Sequence, residues 1–298
     1  MLSPDLIFPH QKEVFETILS IGRVFFRGRW RKLPIVPRFN LFISGPTGIG
    51  KTHLVRLAAQ RLGVPFLEVK ATNWIPFGSY ARSSRVSWPM IAEFCRGHQK
   101  GIIFLDEADK LFGQSDWSTH IRIEIFSLLD RTLPTGAEIP ESDDPDDEAT
   151  LIASRKLIAT RLASSMLIIG AGAFQDLWKE RSTRSVGFHS HSPSERPSLS
   201  LREASTIIPQ ELANRFIDPI LSLLPLKRKD YFALLEYTAS VLPAPTGEKL
   251  LRLGEVDVEN AVSNQVGCRW IEALLLRLLL KNEFYQGLPC SETSPKLT

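Results

Sequence analysis

The chain has 298 residues, 43% of them hydrophobic and 23% charged, which is the composition of a globular protein with one large or two smaller domains. This composition excludes a fibrous protein and a chain that is disordered over most of its length. With 36 basic and 33 acidic residues the formal charge is only +3, too small for a protein that coats nucleic acid by bulk electrostatics.

Cysteine and hydropathy patterns bear on the compartment. The three cysteines, Cys95, Cys268 and Cys290, are far apart and form no Cys-x-x-Cys pair, so they fit neither a disulfide framework nor a zinc ribbon. The N-terminus lacks a basic segment followed by an apolar one, and no run of about 18 apolar residues occurs. We therefore expect a reducing compartment, a cytoplasmic location and no membrane association.

The first half of the chain alternates between helical and strand patterns. Apolar spacing predicts a helix over residues 10–27 that runs into a basic stretch. Strand-length apolar runs cover residues 40–44, 65–69, 101–105 and 166–169. Helical patterns between the strands begin at Lys51, near Ser87 and near Ser118. This alternation predicts an α/β fold, with a parallel sheet covered by helices on both faces.

Later segments differ from this pattern. Residues 138–148 hold seven carboxylates and residues 182–205 are rich in serine, so both are predicted to be mobile loops. After residue 225 the pattern is helical, over residues 228–241, 257–265 and 268–280. The chain is therefore predicted to comprise an α/β domain, residues 1–224, and a small helical domain, residues 225–298, that ends in a flexible tail.

One glycine-rich segment carries a phosphate-binding motif. Residues 45–52 read GPTGIGKT and lie after a predicted strand and at the start of a predicted helix. In this context the glycines let backbone N–H groups surround phosphate oxygens, Lys51 reaches the outer phosphates, and the Thr52 hydroxyl binds Mg²⁺. The segment predicts a nucleotide site.

An acidic pair follows a second buried strand. Residues 102–107 read IIFLDE, the Walker B pattern. Asp106 is placed to hold the Mg²⁺ shell and Glu107 to polarise the attacking water, because parallel strands end at the same edge of a sheet. A bare Asp-Glu pair is most simply a solvated strand end, but together with residues 45–52 this one predicts nucleotide hydrolysis.

With both motifs in place, the chain resembles the AAA+ ATPases and, among them, the Clp/HslU-type (ClpX-like) protein unfoldases. Further similar segments occur in the family's order, from residue 6 to about residue 280. They are residues 6–11 with 27–31 (adenine side), 71–74 with 77–80 (pore loop), 167–174 (sensor 1), 208–215 (arginine finger, with one residue inserted) and 267–269 (sensor 2).

The resemblance implies an AAA+ P-loop domain with a parallel sheet flanked by helices, followed by a small helical lid. It implies ATP and Mg²⁺ as cofactors and a ring, usually of six subunits, with ATP at each interface. Catalytic roles are implied for Lys51, Glu107 and Arg215, the last acting on a neighbour's nucleotide, and Mg²⁺ ligation for Thr52 and Asp106. Nucleotide contacts are implied for Ile7, Phe8, Gly45, Pro46, Thr47, Gly48, Ile49, Gly50, Lys51, Thr52, His53, Asp106 and Arg269.

Each arginine also has a simpler interpretation from the residues alone. Arg215 is placed to cap a helix or to pair with Glu211 at i, i+4, and Arg269 is an ordinary solvated residue at a helix start. For polypeptide grip in a ring pore the resemblance points to Phe77 or Tyr80, although the family's aromatic-glycine motif is altered here: Ser79 follows Gly78, and Tyr80 lies one place later. Packing of both rings in the core is the alternative.

Partner predictions rest on the two loop segments. Residues 186–188, Val-Gly-Phe, lie where peptidase-coupled relatives dock, and the acidic residues 138–148 lie where relatives have a second pore loop. A simple apolar loop tip and a solvated acidic loop are the alternatives. His189 and His191 have no nearby cluster of further ligands, so metal binding there is not expected.

Three functions remain open from the sequence. The first is an ATP-driven ring that unfolds or remodels a partner protein. The second is a nucleotide-gated switch or scaffold that recruits an effector enzyme. The third is a DNA-associated ATPase, which the basic residues of segment 23–38 and a stacking role for Trp30 would favour, although nucleic acid is the less expected partner.

Overall fold

A computed structural model describes residues 7–71, 84–112, 124–134, 148–174, 210–217 and 220–280. Contacts divide the chain into two compact units. The first unit comprises Met1–Ile7, Gln11–Pro46 and Lys51–Leu224, and the second comprises Phe8–His10, Thr47–Gly50 and Pro225–Thr298. The domain assignments made from the sequence stay a prediction.

A five-stranded parallel sheet forms the centre of the first unit. Its strands are β1 (Leu41–Ser44), β2 (Phe66–Lys70), β3 (Gly101–Asp106), β4 (Met166–Gly172) and β5 (Leu221–Ser222). The strand order is β2-β3-β4-β1-β5, and every pairing is parallel. The predicted parallel sheet is confirmed. The sequence reading missed β5, because two residues are too few to show a periodic pattern.

The central strands are buried on both faces, as is typical of a parallel sheet. Residues 102–105 of β3 are 0–1% exposed, and the residues of β4 are buried throughout, so both faces are covered. In the register, Ser44 pairs with Gly172 and Leu105 pairs with Gly170. The carboxyl ends of β1 and β3 therefore lie along the same edge of the sheet, on either side of β4.

Helices connect and flank the strands of this unit. They are α1 (Lys12–Arg27), α2 (Lys51–Leu62), α3 (Ser84–Gly97), α4 (residues 124–129), α5 (Glu148–Ser165) and α6 (Gln210–Ala213). The predictions at 10–27 and at Lys51 are confirmed, and α3 begins three residues earlier than Ser87. The predicted start near Ser118 lies outside the described residues. The sequence reading did not identify α5.

Three helices make up most of the second unit: α7 (Arg228–Ser240), α8 (Ala244–Asn264) and α9 (Arg269–Leu280). Helix α8 begins 13 residues before the predicted start at 257, and Gly247 and Gly254 lie within it. Both glycines allow close packing on α7. A Cβ at Gly247 would lie 2.6 Å from the Ala239 carbonyl oxygen, and one at Gly254 would lie 2.4 Å from Leu235. None of the described helices combines the length and apolar character that crossing a bilayer requires.

Candidate functional site

The ends of the phosphate-binding motif belong to the first unit. The Gly45 N–H donates to the Gly172 carbonyl at the end of β4, with N and O 3.2 Å apart. The Lys51 Nζ donates to the carbonyl oxygens of Gly45 and Pro46, at 2.7 and 3.0 Å. The motif thus places its ammonium group against its own loop at the start of α2. The predicted His53 lies half-buried in the first turn of the same helix.

The two predicted Mg²⁺ ligands are in direct contact. The Thr52 hydroxyl donates to the Asp106 carboxylate, with Oγ1 and Oδ2 2.9 Å apart. A hydroxyl and a carboxylate supply the oxygen ligands that Mg²⁺ prefers. The chemistry of this pair, at the start of α2 and the end of β3, therefore fits a bound Mg²⁺.

Glu107 has an unusual backbone conformation. Its φ is +54°, in the left-handed region that non-glycine residues rarely adopt. Its N–H donates to the Asp106 Oδ1 at 2.8 Å, and its carbonyl accepts from the Lys110 N–H at 2.9 Å. The side chain is exposed. Two backbone bonds therefore hold the turn after β3 and leave the Glu107 carboxylate at the surface of this unit.

The centre of the phosphate-binding motif belongs to the second unit, where it meets the start of α9. The Cys268 N–H donates to the Gly48 carbonyl at 2.8 Å. Gly48 and Gly267 both have positive φ, +80° and +71°. A Cβ at Gly267 would lie 2.6 Å from the Gly48 carbonyl oxygen, and one at Gly48 would lie 2.7 Å from the Val266 carbonyl oxygen. Only glycine fits at either position, and we call this the Gly48–Gly267 contact.

Helix α7 supports the same contact through one hydroxyl. The buried Tyr231 hydroxyl oxygen accepts the Gly267 N–H at 2.9 Å, and the Tyr231 ring packs edge-on against Trp270 at 5.4 Å. Arg269, the first residue of α9, is exposed, and its Cγ lies 3.7 Å from the Cβ position at Gly48. The structure therefore places Arg269 beside Gly48, within the second unit. Sequence reasoning missed Tyr231, which looks like any buried aromatic residue of a helix.

The predicted adenine-side residues fall in different units. Ile7 is half-buried and belongs to the first unit, whereas Phe8 is buried and belongs to the second. The Phe8 ring stacks on His10 with centroids 5.9 Å apart. Both ring nitrogens of His10 are buried, and neither has a hydrogen-bond partner among the residues that the structure describes. Burial lowers the pKa of His10, and the nearby Asp230 carboxylate opposes this effect.

Arg215 lies in a different part of the first unit, just after α6. Its Nε and Nη2 donate to the two carboxylate oxygens of Asp130, each at 2.9 Å. Its Nη1 donates to the Glu211 carbonyl oxygen at 2.7 Å, and its guanidinium carbon lies 4.2 Å from the Phe126 ring centroid. The contact with Glu211 therefore uses the backbone, and the carboxylate partner is Asp130, which sequence reasoning missed because 85 residues separate the pair.

Three residues of the basic segment 23–38 contact other parts of the protein. Trp30 is 8% exposed, stacks on Phe25 and donates its Nε1–H to the Phe25 carbonyl at 2.8 Å. The idea that Trp30 stacks on nucleic-acid bases is therefore wrong. Arg31 donates to the Ser164 carbonyl, and Arg38 donates to the Asn214 carbonyl.

Several predicted features lie outside the described residues. They are Phe77 and Tyr80, the Val-Gly-Phe segment 186–188, the serine-rich loop 182–205, and the acidic run except Glu148, at which α5 begins. At the sensor-1 position, β4 ends at Gly172 and Phe174 is buried with a φ of +46°. Within the described ranges no cluster of three metal-ligating side chains occurs, and Cys95 and Cys268 are free thiols.

Comparison with known proteins identifies relatives of this fold and motif set. Residues 41–174 match the family described as "ATPase family associated with various cellular activities (AAA)". The ClpX ATP-binding subunit of the ATP-dependent Clp protease from Azotobacter vinelandii is 30% identical over 189 residues, covering 58% of this chain and 41% of the relative. The HslU ATPase subunits from Persephonella marina and Rhodopseudomonas palustris are 39% and 37% identical over 67 residues, 20% of this chain and 15% of each relative.

Proposed function

We propose that this chain, which matches the AAA family over residues 41–174 and is similar to the ClpX and HslU subunits, is a ring-forming ATPase that uses ATP hydrolysis to unfold or remodel a partner protein. The observation that carries the proposal is the 2.9 Å hydrogen bond between Thr52 and Asp106, with Glu107 next in the chain. The matched segments span 41% or less of the relatives' own lengths, so ring formation, clients and peptidase coupling are part of the proposal.

The phosphate-binding residues have distinct roles in the proposed reaction. Lys51 exchanges its contacts with the Gly45 and Pro46 carbonyls for the outer phosphates of ATP, and backbone N–H groups of the loop bind the remaining phosphate oxygens. Thr52 and Asp106 would hold Mg²⁺, directly or through water. When bound, Mg²⁺ neutralises charge on the phosphates during their cleavage.

Glu107 orients the attacking water in this proposal. Two hydrogen bonds hold its backbone at the end of β3, and its exposed carboxylate extends from this fixed backbone. Water orientation by one polar side chain is a recurring part of nucleotide hydrolysis. ATP is thus the proposed substrate, and ADP and phosphate are the proposed products.

The two arginines, Arg215 and Arg269, contact the nucleotides of different subunits in this proposal. Arg269 lies beside Gly48 in its own unit, which supports contact with the nucleotide bound by the same subunit. Arg215 is proposed to act on the nucleotide of a neighbouring subunit, where an arginine supplied in trans contributes about 10³–10⁵ in rate in well-studied systems. Separated subunits are then poor ATPases.

Steady-state ATP hydrolysis across a protein concentration series tests the proposal. It is measured for the protein alone, with an unfolded polypeptide, and with single- or double-stranded DNA. We expect activity per subunit to rise with concentration and to be stimulated by polypeptide. Hydrolysis without polypeptide stimulation would favour the nucleotide-gated switch, and stimulation by DNA alone would favour the DNA-associated ATPase.

Two variants identify the site that performs the reaction. Glu107→Gln should bind ATP without turnover, while Glu259→Gln, an exposed carboxylate on α8, is the control that retains activity. Lys51→Ala should weaken ATP binding. Unchanged turnover in Glu107→Gln, or normal ATP affinity in Lys51→Ala, would contradict the assignment.

Action in trans is tested with mixed rings. Arg215→Ala subunits retain Glu107, and Glu107→Gln subunits retain Arg215, so an interface between the two kinds assembles one complete site. Glu107→Gln alone should be inactive and Arg215→Ala alone should hydrolyse ATP slowly, so we expect turnover in the mixture to exceed that of either variant. That result would show that Arg215 of one subunit serves the nucleotide of another.

A further inference from the structure

We propose that Asp130 is the positioning residue for Arg215, fixing the guanidinium plane before a neighbouring subunit's nucleotide is engaged. This inference rests on the proposed function, in which Arg215 acts in trans. The fork-shaped pairing carries it: Nε and Nη2 of Arg215 each lie 2.9 Å from a different oxygen of Asp130. Two parallel bonds to one carboxylate fix the orientation of a planar guanidinium, as one bond to a point charge cannot.

The pairing leaves donors for a phosphate. Arginine has five N–H donors, and within the described part of the chain Arg215 uses three, two on Asp130 and one on the Glu211 carbonyl. Its guanidinium also lies over the Phe126 ring at 4.2 Å. Three surrounding groups therefore hold the side chain while two donors remain, the number that a bidentate contact with phosphate oxygens requires.

Hydrogen bonds of Asn40 hold the backbone next to both residues of this pair. The Asn40 Nδ2 donates to the Leu129 carbonyl at 2.7 Å and to the Arg215 carbonyl at 2.9 Å, and the Asn40 carbonyl accepts the Ile217 N–H at 2.8 Å. Asn40 immediately precedes β1 and is 2% exposed. One buried amide thus ties the segments on either side of the ion pair to the central sheet.

Arg131 adds further hydrogen bonds to this group of contacts around Asn40, which we call the Asn40 frame. Its Nη2 donates to the Asn40 Oδ1 at 3.1 Å, its Nη1 donates to the Met166 carbonyl at 2.9 Å, and its guanidinium lies 4.9 Å from the Phe25 ring centroid. Burial lowers the pKa of Arg131 to about 10, so the residue stays charged at neutral pH. The Asn40 frame next to Asp130 is therefore buried and hydrogen-bonded, whereas Asp130 itself is exposed.

Partial exposure limits the contribution of this pair to stability, whereas its two-bond geometry orients Arg215. The Arg215 and Asp130 side chains are 23% and 41% exposed. Ion pairs at such exposure contribute little to stability because solvent screens the charges. Orientation of a group that contacts the reacting phosphate affects rate much more strongly, since a displacement of about 1 Å can lower the rate about 10²-fold.

Asp130→Asn is the test variant, because it keeps the shape of the side chain and removes its charge. We expect the turnover number of the assembled protein to fall roughly 10-fold to 100-fold, with the ATP dissociation constant and the unfolding midpoint unchanged. Asp130→Glu should restore part of the turnover. The matched control is Glu259→Gln, which neutralises the exposed ion pair between Arg228 and Glu259 and should leave turnover unchanged.

A double-mutant cycle distinguishes positioning from a general structural effect. In an Arg215→Ala background, Asp130→Asn should cause no further loss, because the residue that it orients is absent. An additive loss would overturn the inference, as would increased turnover in Asp130→Asn, which would mean that Asp130 restrains Arg215. If Asp130→Asn turns over ATP as fast as the wild-type protein while Arg215→Ala is slow, this inference alone is overturned. If the wild-type protein itself hydrolyses no ATP at any concentration, the proposed function is overturned.

Discussion

The surroundings of Arg215 and Arg269 differ in which part of the residue is fixed. At Arg215 the side chain itself is held, by the Asp130 carboxylate, the Phe126 ring and the Glu211 carbonyl. At Arg269 the side chain is exposed, and the preceding backbone is held by the Gly48–Gly267 contact.

This difference matches the partners proposed for the two arginines. A side chain that acts on another subunit's nucleotide benefits from orientation within its own subunit, because assembly then orders fewer groups. A side chain that responds to the nucleotide of its own subunit needs only a fixed backbone position, from which the side chain is free to move. The guanidinium of Arg215 is thus placed by contacts of its side chain, and that of Arg269 by contacts of the backbone before it. The following variants change one arrangement or the other.

Substitution of Gly267 should have the largest effect, on the Arg269 region. Gly267→Ala places a Cβ 2.6 Å from a backbone oxygen at a φ of +71°, so we expect the second unit to lose about 3 kcal/mol of stability and ATP affinity to fall. Hydrogen exchange of α9 and nucleotide titration measure these effects. The control is Gly63→Ala, which has a φ of +64° and open space around its Cβ position. If both variants lost the same stability, backbone strain alone would explain the loss, and the Gly48–Gly267 contact would not contribute to it.

Asn40→Ala should have the next largest effect, on the Arg215 region. It removes two donated bonds and the acceptor for Arg131 from a buried site, at a cost of about 2–3 kcal/mol in unfolding free energy. Denaturant unfolding of the first unit measures the loss. Asn264→Ala, whose amide bonds are exposed, should cost far less. Similar unfolding free energies for the two variants would contradict the role assigned to Asn40.

Tyr231→Phe acts more mildly on the Gly48–Gly267 contact. It leaves the buried Gly267 N–H without its acceptor and should lower the unfolding free energy of the second unit by about 1–2 kcal/mol. Thermal unfolding and exchange of the Gly267 amide measure this change. Tyr237→Phe on the same helix is the control. Faster exchange only in the Tyr231 variant would show that the hydroxyl holds the start of α9.

The smallest expected effect is a pH dependence from His10. Burial lowers its folded-state pKa below that of the unfolded chain, so below about pH 6.5 the unfolded state binds more protons. The stability of the second unit should therefore be complete above that pH and fall as the pH drops through the unfolded and then the folded pKa. Unfolding between pH 7.5 and 5.5 tests this for wild type, His10→Gln and the exposed control His98→Gln. If the stability of His10→Gln still fell with pH as in the wild type, the pH dependence would belong to other groups.

Local patterns predicted most of the first unit. Strands β1 to β4 and helices α1 and α2 follow from apolar runs and periodicity, and the phosphate motif and the Asp106-Glu107 pair follow from fixed spacing. These features are legible because each depends on neighbours within a few residues. The short strand β5 and helix α5, by contrast, lack a clear pattern of their own.

Long-range contacts were not predictable in the same way. The pairing of Asp130 with Arg215 spans 85 residues, and the amide of Asn40 reaches 175 residues to the Arg215 carbonyl. The predicted start of helix α8 at 257 was wrong by 13 residues, and the close packing of its Gly247 and Gly254 on α7 is not visible from propensity alone. Tyr231 is likewise distinguished from other buried aromatics only by the amide that its hydroxyl meets.

The left-handed backbone of Glu107 means that the proposed catalytic residue is not the one that best suits the fold. Glycine adopts a φ of +54° without the penalty of about 1–2 kcal/mol that other residues incur there. Glu107→Gly should therefore be more stable than the natural protein and inactive. Selection for stability alone would remove this glutamate, so its presence marks a position where activity is retained against thermodynamic preference.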